Sequence, residues 1–410
     1  MAIVAGPPTL VKDGLIFYMD LGNNKVFKDK PTTNMLGAGF DITGAMGITA
    51  WGGTSNRQAD TTVSLDTYKG GTVWRLQDTD GVDPNAIVDN MWFANPSIAS
   101  LTAGDEYTFS LDVRVLQKAN TTNSGADNAI WIWYAGSTEY VYFSDLPLNE
   151  WTRVHVTATV GSSYNYLRPR IDYDNSVIEI ANLQVEAGNI ASAYVDGVRS
   201  DTDSILDTSS SKQVVTPYSL TYRQSDTPIF DGSLDKIHAG VIPGIDSSAT
   251  AFTASVWVKP TRASTCLLLE NGQNHTANTF YLAQENATQF TFEIYGTATN
   301  GANSYDAVFA NYAYQLDVWY NLTGVWSANN RVELYTNGVN TSGNLIGSVR
   351  ATVRDGTTDF MVGCRPTNGA GTSHSYPFKG ELPQVMLYNR ALSPAEIDQN
   401  YQALRYRYGV

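Results

Sequence analysis

The sequence predicts an all-β chain built from β-sandwich domains, with one short helix near its C-terminus. Three observations carry that expectation. Charged residues make up only 16% of the 410 residues, while Gly, Thr, Ser, Asn and Tyr are plentiful. That is the profile of strand-and-turn proteins rather than of helical or disordered chains. Runs of alternating apolar and polar residues recur between turn clusters. A helical period flanked by end signals appears only after Ser393. A chain of this length has room for about two or three domains.

The elements follow in order. Asp13–Asp20 is an apolar run that reads as a strand, closed by the turn residues Gly22-Asn-Asn. Residues 28–34 read as a linker, with Pro31 favouring an extended predecessor. Beyond Asn34 come period-two runs at Thr72–Gln77, Glu106–Val115, Ala129–Tyr134, Glu139–Phe143, Trp151–Val160 and Ser176–Glu186. In the clearest of them Tyr107, Phe109, Leu111, Val113 and Val115 share one face. No helical pattern lies between these runs, which suggests a sandwich. Further strands are expected at Pro228–Ile237, Phe252–Pro260, Val318–Trp326, Arg331–Gly338 and at the start of Phe378–Ser393. In Phe252–Pro260, Phe252, Ala254, Val256 and Val258 alternate with Thr253, Ser255, Trp257 and Lys259. Ser393-Pro-Ala-Glu396 is a capping box with Pro at the first helical position. Ile397, Tyr401, Leu404 and Tyr408 then fall on one helical face, with Gly409 placed to end it.

Two resemblances organise these strands. The opening Asp13-Gly-Leu-Ile-Phe-Tyr-Met-Asp20 and the closing Phe378–Ser393 resemble the first and last signatures of concanavalin A-like (LamG-type) sandwiches, especially those of bacteriophage structural proteins. Ile205–Lys212, Pro228–Ile237, Phe252–Pro260, Val318–Trp326 and Arg331–Gly338 resemble that family's intervening segments in the same order. Residues 34–196 resemble a carbohydrate-binding-module type of jelly roll, through Leu101–Ser110, Trp151–Thr157 and Ala181–Gly188 with Ala193-Tyr-Val195. The resemblances imply two β-sandwich (jelly-roll) domains, one inserted in the other. The outer one would span 1–29 plus 200–410 and the inserted one 30–199. They imply a virion-surface structural or adhesive protein: a decoration protein, head fibre or tail-fibre component, made in the host cytoplasm. Its partners would be other virion proteins and host-surface glycans, and it would be a homo-oligomer, a trimer by expectation; the alternatives are a secreted bacterial glycan-binding protein and, behind it, a glycan hydrolase.

Charge and motifs limit the chemistry. The net charge is −14. A uniformly acidic chain repels phosphate backbones, so nucleic-acid binding is not expected. No apolar stretch approaches the roughly 20 residues needed to cross a bilayer, and the N-terminal residues do not read as a secretory signal. Cys266 and Cys364 each sit in an apolar run and read as buried thiols, with a cross-strand disulfide as the other reading. Laminarinase-type glucanases carry Glu-x-Asp-x-x-Glu on one strand. Here Glu396-Ile-Asp398 lacks the second Glu and falls on the expected helix, where its carboxylates diverge. No catalytic residue is assigned, and no enzyme is expected.

Binding residues are better candidates. Trp131 and Trp133 alternate along one run, and Tyr140 and Tyr142 repeat the idea in the next. Aromatic faces suit the C–H face of a sugar, so these four form a candidate glycan platform. The competing reading, and the one such aromatics favour, is that this face is simply the sandwich core. Asp172, Asp174, Asp201 and Asp203 lie in carboxylate-rich turns that could ligate structural calcium, or serve as ordinary solvated turns. No cofactor is required by this reading.

Overall fold

The computed structural model describes residues 8–36, 62–77, 89–90, 101–118, 129–134, 137–142, 145–161, 166–171, 177–224, 226–272, 279–286, 288–296, 304–354, 359–367 and 374–410. The architecture is all-β with a short C-terminal helix. The chain separates into two compact units, one of Met1–Lys30 with Asp201–Val410 and one of Pro31–Ser200.

The first unit is a sandwich of two sheets. One runs, neighbour to neighbour, Thr221–Arg223, Asp226–Asp231, Lys379–Tyr388, Ala251–Pro260, Tyr320–Ser327, Arg331–Thr336 and Val339–Asn340, with Leu15–Asp20 also paired to Lys379–Tyr388. In that pairing Phe17 lies opposite Leu387, so both ends of the chain share one sheet. The other runs Ile205–Leu206, Val214–Tyr218, Lys236–His238, Phe360–Val362, Cys266–Asn271, Phe280–Glu285, Gln289–Gly296 and Ser304–Phe309. Phe252, Ala254, Val256 and Val258 meet Phe280, Phe290, Phe292 and Phe360 in the core between them. Gly324 permits this approach, because a Cβ there would come within 2.3 Å of the Phe292 ring.

Trp257 points to the opposite side of its strand. It joins Tyr388, Ile397 and Leu404 in a second apolar cluster beneath the helix Pro394–Leu404. Its ring stacks on Tyr401 at 5.8 Å and on Tyr408 at 4.2 Å. Truncating a ring buried so completely costs about 3–5 kcal/mol. The capping box is formed: the Ser393 side chain accepts from Glu396 N, and the Glu396 side chain accepts from Ser393 N. The α-helix is shorter than its face pattern suggests. It ends at Leu404 and continues as a 3-10 turn over Arg405–Arg407, so Tyr408 reaches Trp257 from beyond the helix. The segment after Leu206 turns around Asp207, whose carboxylate accepts from Ser209 N and Gln213 N at 2.9 Å and from Tyr18 N at 3.0 Å.

The second unit has a five-stranded sheet of Thr62–Tyr68, Gly71–Gln77, Val177–Ala187, Glu106–Gln117 and Trp151–Thr159, in that order. A four-stranded sheet runs Asp89–Asn90, Tyr166–Ile171, Ala129–Tyr134 and Ser137–Tyr142. Tyr107, Phe109, Leu111, Val113 and Val115 all lie in its core, as their alternation requires. A short pairing of Thr32–Thr33 with Val198–Arg199 brings the two ends of this unit together. Polar residues of Val177–Ala187 hold the closing segment down. Glu186 accepts from Ser192 N at 2.7 Å and from the Thr32 hydroxyl at 2.9 Å, and Gln184 Oε1 accepts from Val195 N at 2.8 Å. Asn182 adopts a positive φ of 57°, and its amide donates to Asp112 at 2.7 Å.

Candidate functional site

The second sheet of the first unit has one side in the core and one side away from it. Glu270, Tyr281 and Glu293 are register partners across three adjacent strands. Their sequence neighbours Leu269, Phe280, Leu282, Phe292 and Ile294 fill the core. Strand alternation therefore puts the Glu–Tyr–Glu row on the opposite side. Tyr295 extends it, with its ring 5.8 Å from Tyr281 and 5.9 Å from Tyr305.

The groups in this row are tied together. The Tyr295 hydroxyl donates to Glu293 Oε2 at 3.0 Å, and Tyr281 bonds the same carboxyl. Burial pushes the Glu293 carboxyl above the usual carboxylate range, against the two hydroxyls that favour its charged form. Burial also raises both tyrosines, and the neighbouring Glu293 charge adds to it. Arg365 Nε donates to Glu270 at 3.2 and 3.3 Å. Its guanidinium lies between two rings, 5.3 Å from that of Tyr281 and 5.0 Å from that of Tyr376. Farther along, Lys236 Nζ lies 3.3 Å from His374 Nδ1 and 5.2 Å from the Tyr218 ring. The floor is buried, but Tyr305 and Tyr376 are each 43% exposed and Tyr218 is 42% exposed. The result is a polar floor with exposed rings at its rim. Fixed donors and acceptors beside open ring faces can orient a hydroxyl-rich ligand.

None of these residues was singled out in the sequence. The signal was present in Phe290-Thr-Phe-Glu-Ile-Tyr295, where aromatic and aliphatic core positions alternate with Glu and Tyr. The residues weighed for catalysis sit elsewhere. Glu396 caps the helix and is gripped by Arg390 at 3.1 and 2.7 Å. Those bonds and that from Ser393 N pull its carboxyl down to about 2.

The four platform residues fall on the four-stranded sheet of the second unit. Trp131 is the register partner of Tyr140, Trp133 of Thr138, and Ala129 of Tyr142. The side chains of Trp131, Trp133 and Tyr140 lie outside the described residues. The adjacent strand adds Tyr166 opposite Trp133, Arg168 opposite Trp131 and Arg170 opposite Ala129. Val141, on the alternate side, packs against the core of this unit, while Tyr142 is 37% exposed.

Residues 240–398 match the model of the concanavalin A-like lectin/glucanases superfamily. The matched stretch contains the whole Glu270–Tyr281–Glu293–Arg365 row. No curated protein sequence is significantly similar to the chain. Among solved structures, the botulinum neurotoxin serotype C1 binding domain is 11% identical with a TM-score of 0.38, over 50% of each chain. The serotype D ligand-binding domain, solved with N-acetylneuraminic acid, is 13% identical with a TM-score of 0.38, over 49% of this chain and 48% of that one. A heptameric SAP-like pentraxin from Limulus polyphemus is 17% identical with a TM-score of 0.27, over 37% of this chain and 69% of that one. The chain thus spans about half the length of the neurotoxin domains it resembles, and similarity this remote carries no function across.

Of the four carboxylates considered for calcium, two lie among the described residues. Asp201 and Asp203 are exposed on a one-turn helix, Asp201–Ser204, rather than in an irregular turn. Two positions along a helix put them about 200° apart. Asp172 and Asp174 lie outside the described residues. Among the described residues no group of three His, Cys, Asp or Glu is arranged to hold a metal ion, and no helix is long and apolar enough to cross a membrane. Cys266 and Cys364 are buried and unpaired with each other, and burial pushes both thiols up to about 12. An open cleft of about 750 Å³ lies beside the first strand, lined in part by Lys12, Asp13, Thr208, Ser210 and Asn389.

Proposed function

We propose that this chain is a glycan-binding structural protein of a virus-particle surface: a bacteriophage decoration protein, head fibre or tail-fibre component. In this reading a concanavalin A-like sandwich, 1–29 with 200–410, is interrupted by a carbohydrate-binding jelly roll, 30–199. The observation that carries the glycan part is the row of Tyr281, Glu293, Tyr295 and Arg365 rimmed by Tyr376 and Tyr305. Ring faces beside fixed polar groups match the alternating C–H and hydroxyl surfaces of a sugar. The virion part rests on the resemblance of the opening and closing segments to phage structural proteins. Contacts with other virion proteins would anchor it. Assembly as a homotrimer would multiply weak sugar contacts through avidity. No metal is needed for this mode of binding, although calcium could still brace a loop.

The test has two arms. Mass spectrometry of purified particles is expected to find the protein on the virion. A glycan array probed with the full chain is expected to give specific hits that Tyr376→Ala weakens. Array hits without particle association would favour a secreted bacterial glycan-binding protein and overturn the virion part. Release of reducing sugar would replace the adhesive reading with a hydrolase. An array without hits would overturn the glycan part.

A further inference from the structure

We infer that Lys236 holds the anionic group, carboxylate or sulfate, of an acidic saccharide at one end of the Glu270–Tyr281–Glu293 row. The inference rests on the glycan-binding reading of that row and adds the ligand's charge class and the residue that reads it. It starts from register. His238, Met361, Glu270, Tyr281 and Glu293 are successive partners across adjacent strands, and Tyr218 is the partner of Lys236. Ile237, between Lys236 and His238, lies in the core. Strand alternation therefore puts Lys236 on the same side of the sheet as the row. The Cys364 thiol lies close enough to feel the charges of both Lys236 and Glu270, which ties the lysine to that end of the row.

Lys236 is only 7% exposed. A lysine so buried is ordinarily paired with a carboxylate. Among the described residues this one has no ion-pair partner. The carboxylates on this side are committed elsewhere, Glu270 to Arg365 and Asp359 to His238. What the ammonium does meet is His374 Nδ1 at 3.3 Å and the Tyr218 ring at 5.2 Å. His374 Nε2 is 3.0 Å from the Ser233 carbonyl oxygen. A carbonyl only accepts and an ammonium only donates, so the imidazole proton belongs on Nε2 and Nδ1 accepts one ammonium N–H. An ammonium has three N–H groups. The other two have no acceptor among the described residues.

A buried charge left without a counter-charge opposes folding. An incoming anion supplies that counter-charge and accepts the spare N–H groups. Lysine takes a carboxylate or a sulfate as a point charge. The Tyr218 ring beside it is 42% exposed and gives the sugar an apolar surface at the same place. The chain as a whole carries a net charge of −14 and repels an acidic polysaccharide at long range. Salt screens that repulsion beyond about 8 Å, and the uncompensated ammonium then decides.

A glycan array tests this, printed with matched oligosaccharides in neutral, carboxylated and sulfated forms and probed with a concentration series of the full chain. One acidic form is expected to bind ten-fold or more tighter than its neutral partner, with the margin narrowing as salt rises. Lys236→Met keeps the aliphatic stem and removes the charge. It should bring acidic binding to within two-fold of neutral binding and leave neutral binding within two-fold of the parent. Thermal unfolding without ligand gives a second reading. Removing an uncompensated buried charge should raise Tm by about 2 °C or more, whereas replacing a lysine that only braces the fold would lower it. The inference is overturned if both acidic forms fall short of the ten-fold margin, if the margin survives Lys236→Met, or if that variant melts no higher than the parent. Each of those outcomes leaves glycan binding standing. A blank array would remove this inference and the glycan reading together.

Discussion

The tie between the two ends of the chain can be tested at Arg407. Its guanidinium donates to both oxygens of Asp20 at 2.7 Å, and Asp20 also accepts from the Tyr18 hydroxyl at 2.8 Å and from Gly22 N at 3.1 Å. The Asp20 side chain is 1% exposed and that of Arg407 is 24% exposed. Gly22 leaves the space, since a Cβ there would lie 2.3 Å from Arg407 Nη2. Replacing Arg407 by Met keeps the aliphatic stem but strands a buried carboxylate. Breaking a buried pair from one side costs about 3–5 kcal/mol, and the partial exposure of Arg407 places this case near 3 kcal/mol. For a unit of this size each kcal/mol shifts Tm by about 2–4 °C, so a fall of roughly 6–12 °C is expected. Scanning calorimetry at pH 7 measures it. The double variant Asp20→Asn with Arg407→Met removes the stranded charge and should recover at least half of the loss. A fall of less than about 2 °C in the single variant, or no recovery in the double, would refute the reasoning, because the pair would then be effectively solvated.

Three further outcomes follow from the same geometry. Burial raises the Glu293 carboxyl, so the stability of its neutral form is complete below the ordinary value of 4.5 and is lost as pH rises through the raised value. Glu293→Gln should therefore gain Tm over the parent at pH 7 and show little gain at pH 4; equal gains at both would contradict this. Glu396 has the opposite sign: its carboxyl is pulled down to about 2, so its contribution is complete above 4.5 and fades as pH falls towards 2. Glu396→Gln should lose about 1 kcal/mol at pH 7, the scale of a helix cap, and the gap should close in acid, as followed by thermal unfolding across pH. Tyr376→Ala removes a half-exposed ring from the Arg365 guanidinium and should weaken sugar binding about ten-fold, read by titration calorimetry.

Much of the fold was legible because it is written in alternation. Glu106–Val115 and Phe252–Pro260 each show period two, and each buries the expected face. The helix was legible because a capping box is a local signal, whereas its end was not. The last turn tightens to 3-10 so that Tyr408 can stack on Trp257, a tertiary requirement no local pattern announces. Alternation does not reveal the burial of Trp257, because its strand is buried on both sides and the pattern loses contrast there. The Glu270–Tyr281–Glu293 row was missed for a related reason. It forms only when three strands, each carrying one polar residue among apolar ones, come into register. Each strand alone reads as core with a stray polar residue. Asp201 and Asp203 show the same limit from the other direction: the one-turn helix that carries them has no local pattern in the sequence as clear as the capping box.

Several residues in and beside the segments that carry the family resemblances are clamps. Glu186 and Gln184 hold the closing segment of the second unit, Asn182 bridges to Asp112, Asp207 organises the turn against the first strand, and Glu396 caps the helix. Each satisfies buried backbone or side-chain groups whose loss would cost about 1–3 kcal/mol. A fold that must close two sheets needs such ties whatever it binds. A signature of clamps identifies the scaffold and says little about what it binds. What this chain binds has to be sought where register assembles a surface, as in the Glu270–Tyr281–Glu293 row, rather than in any contiguous motif.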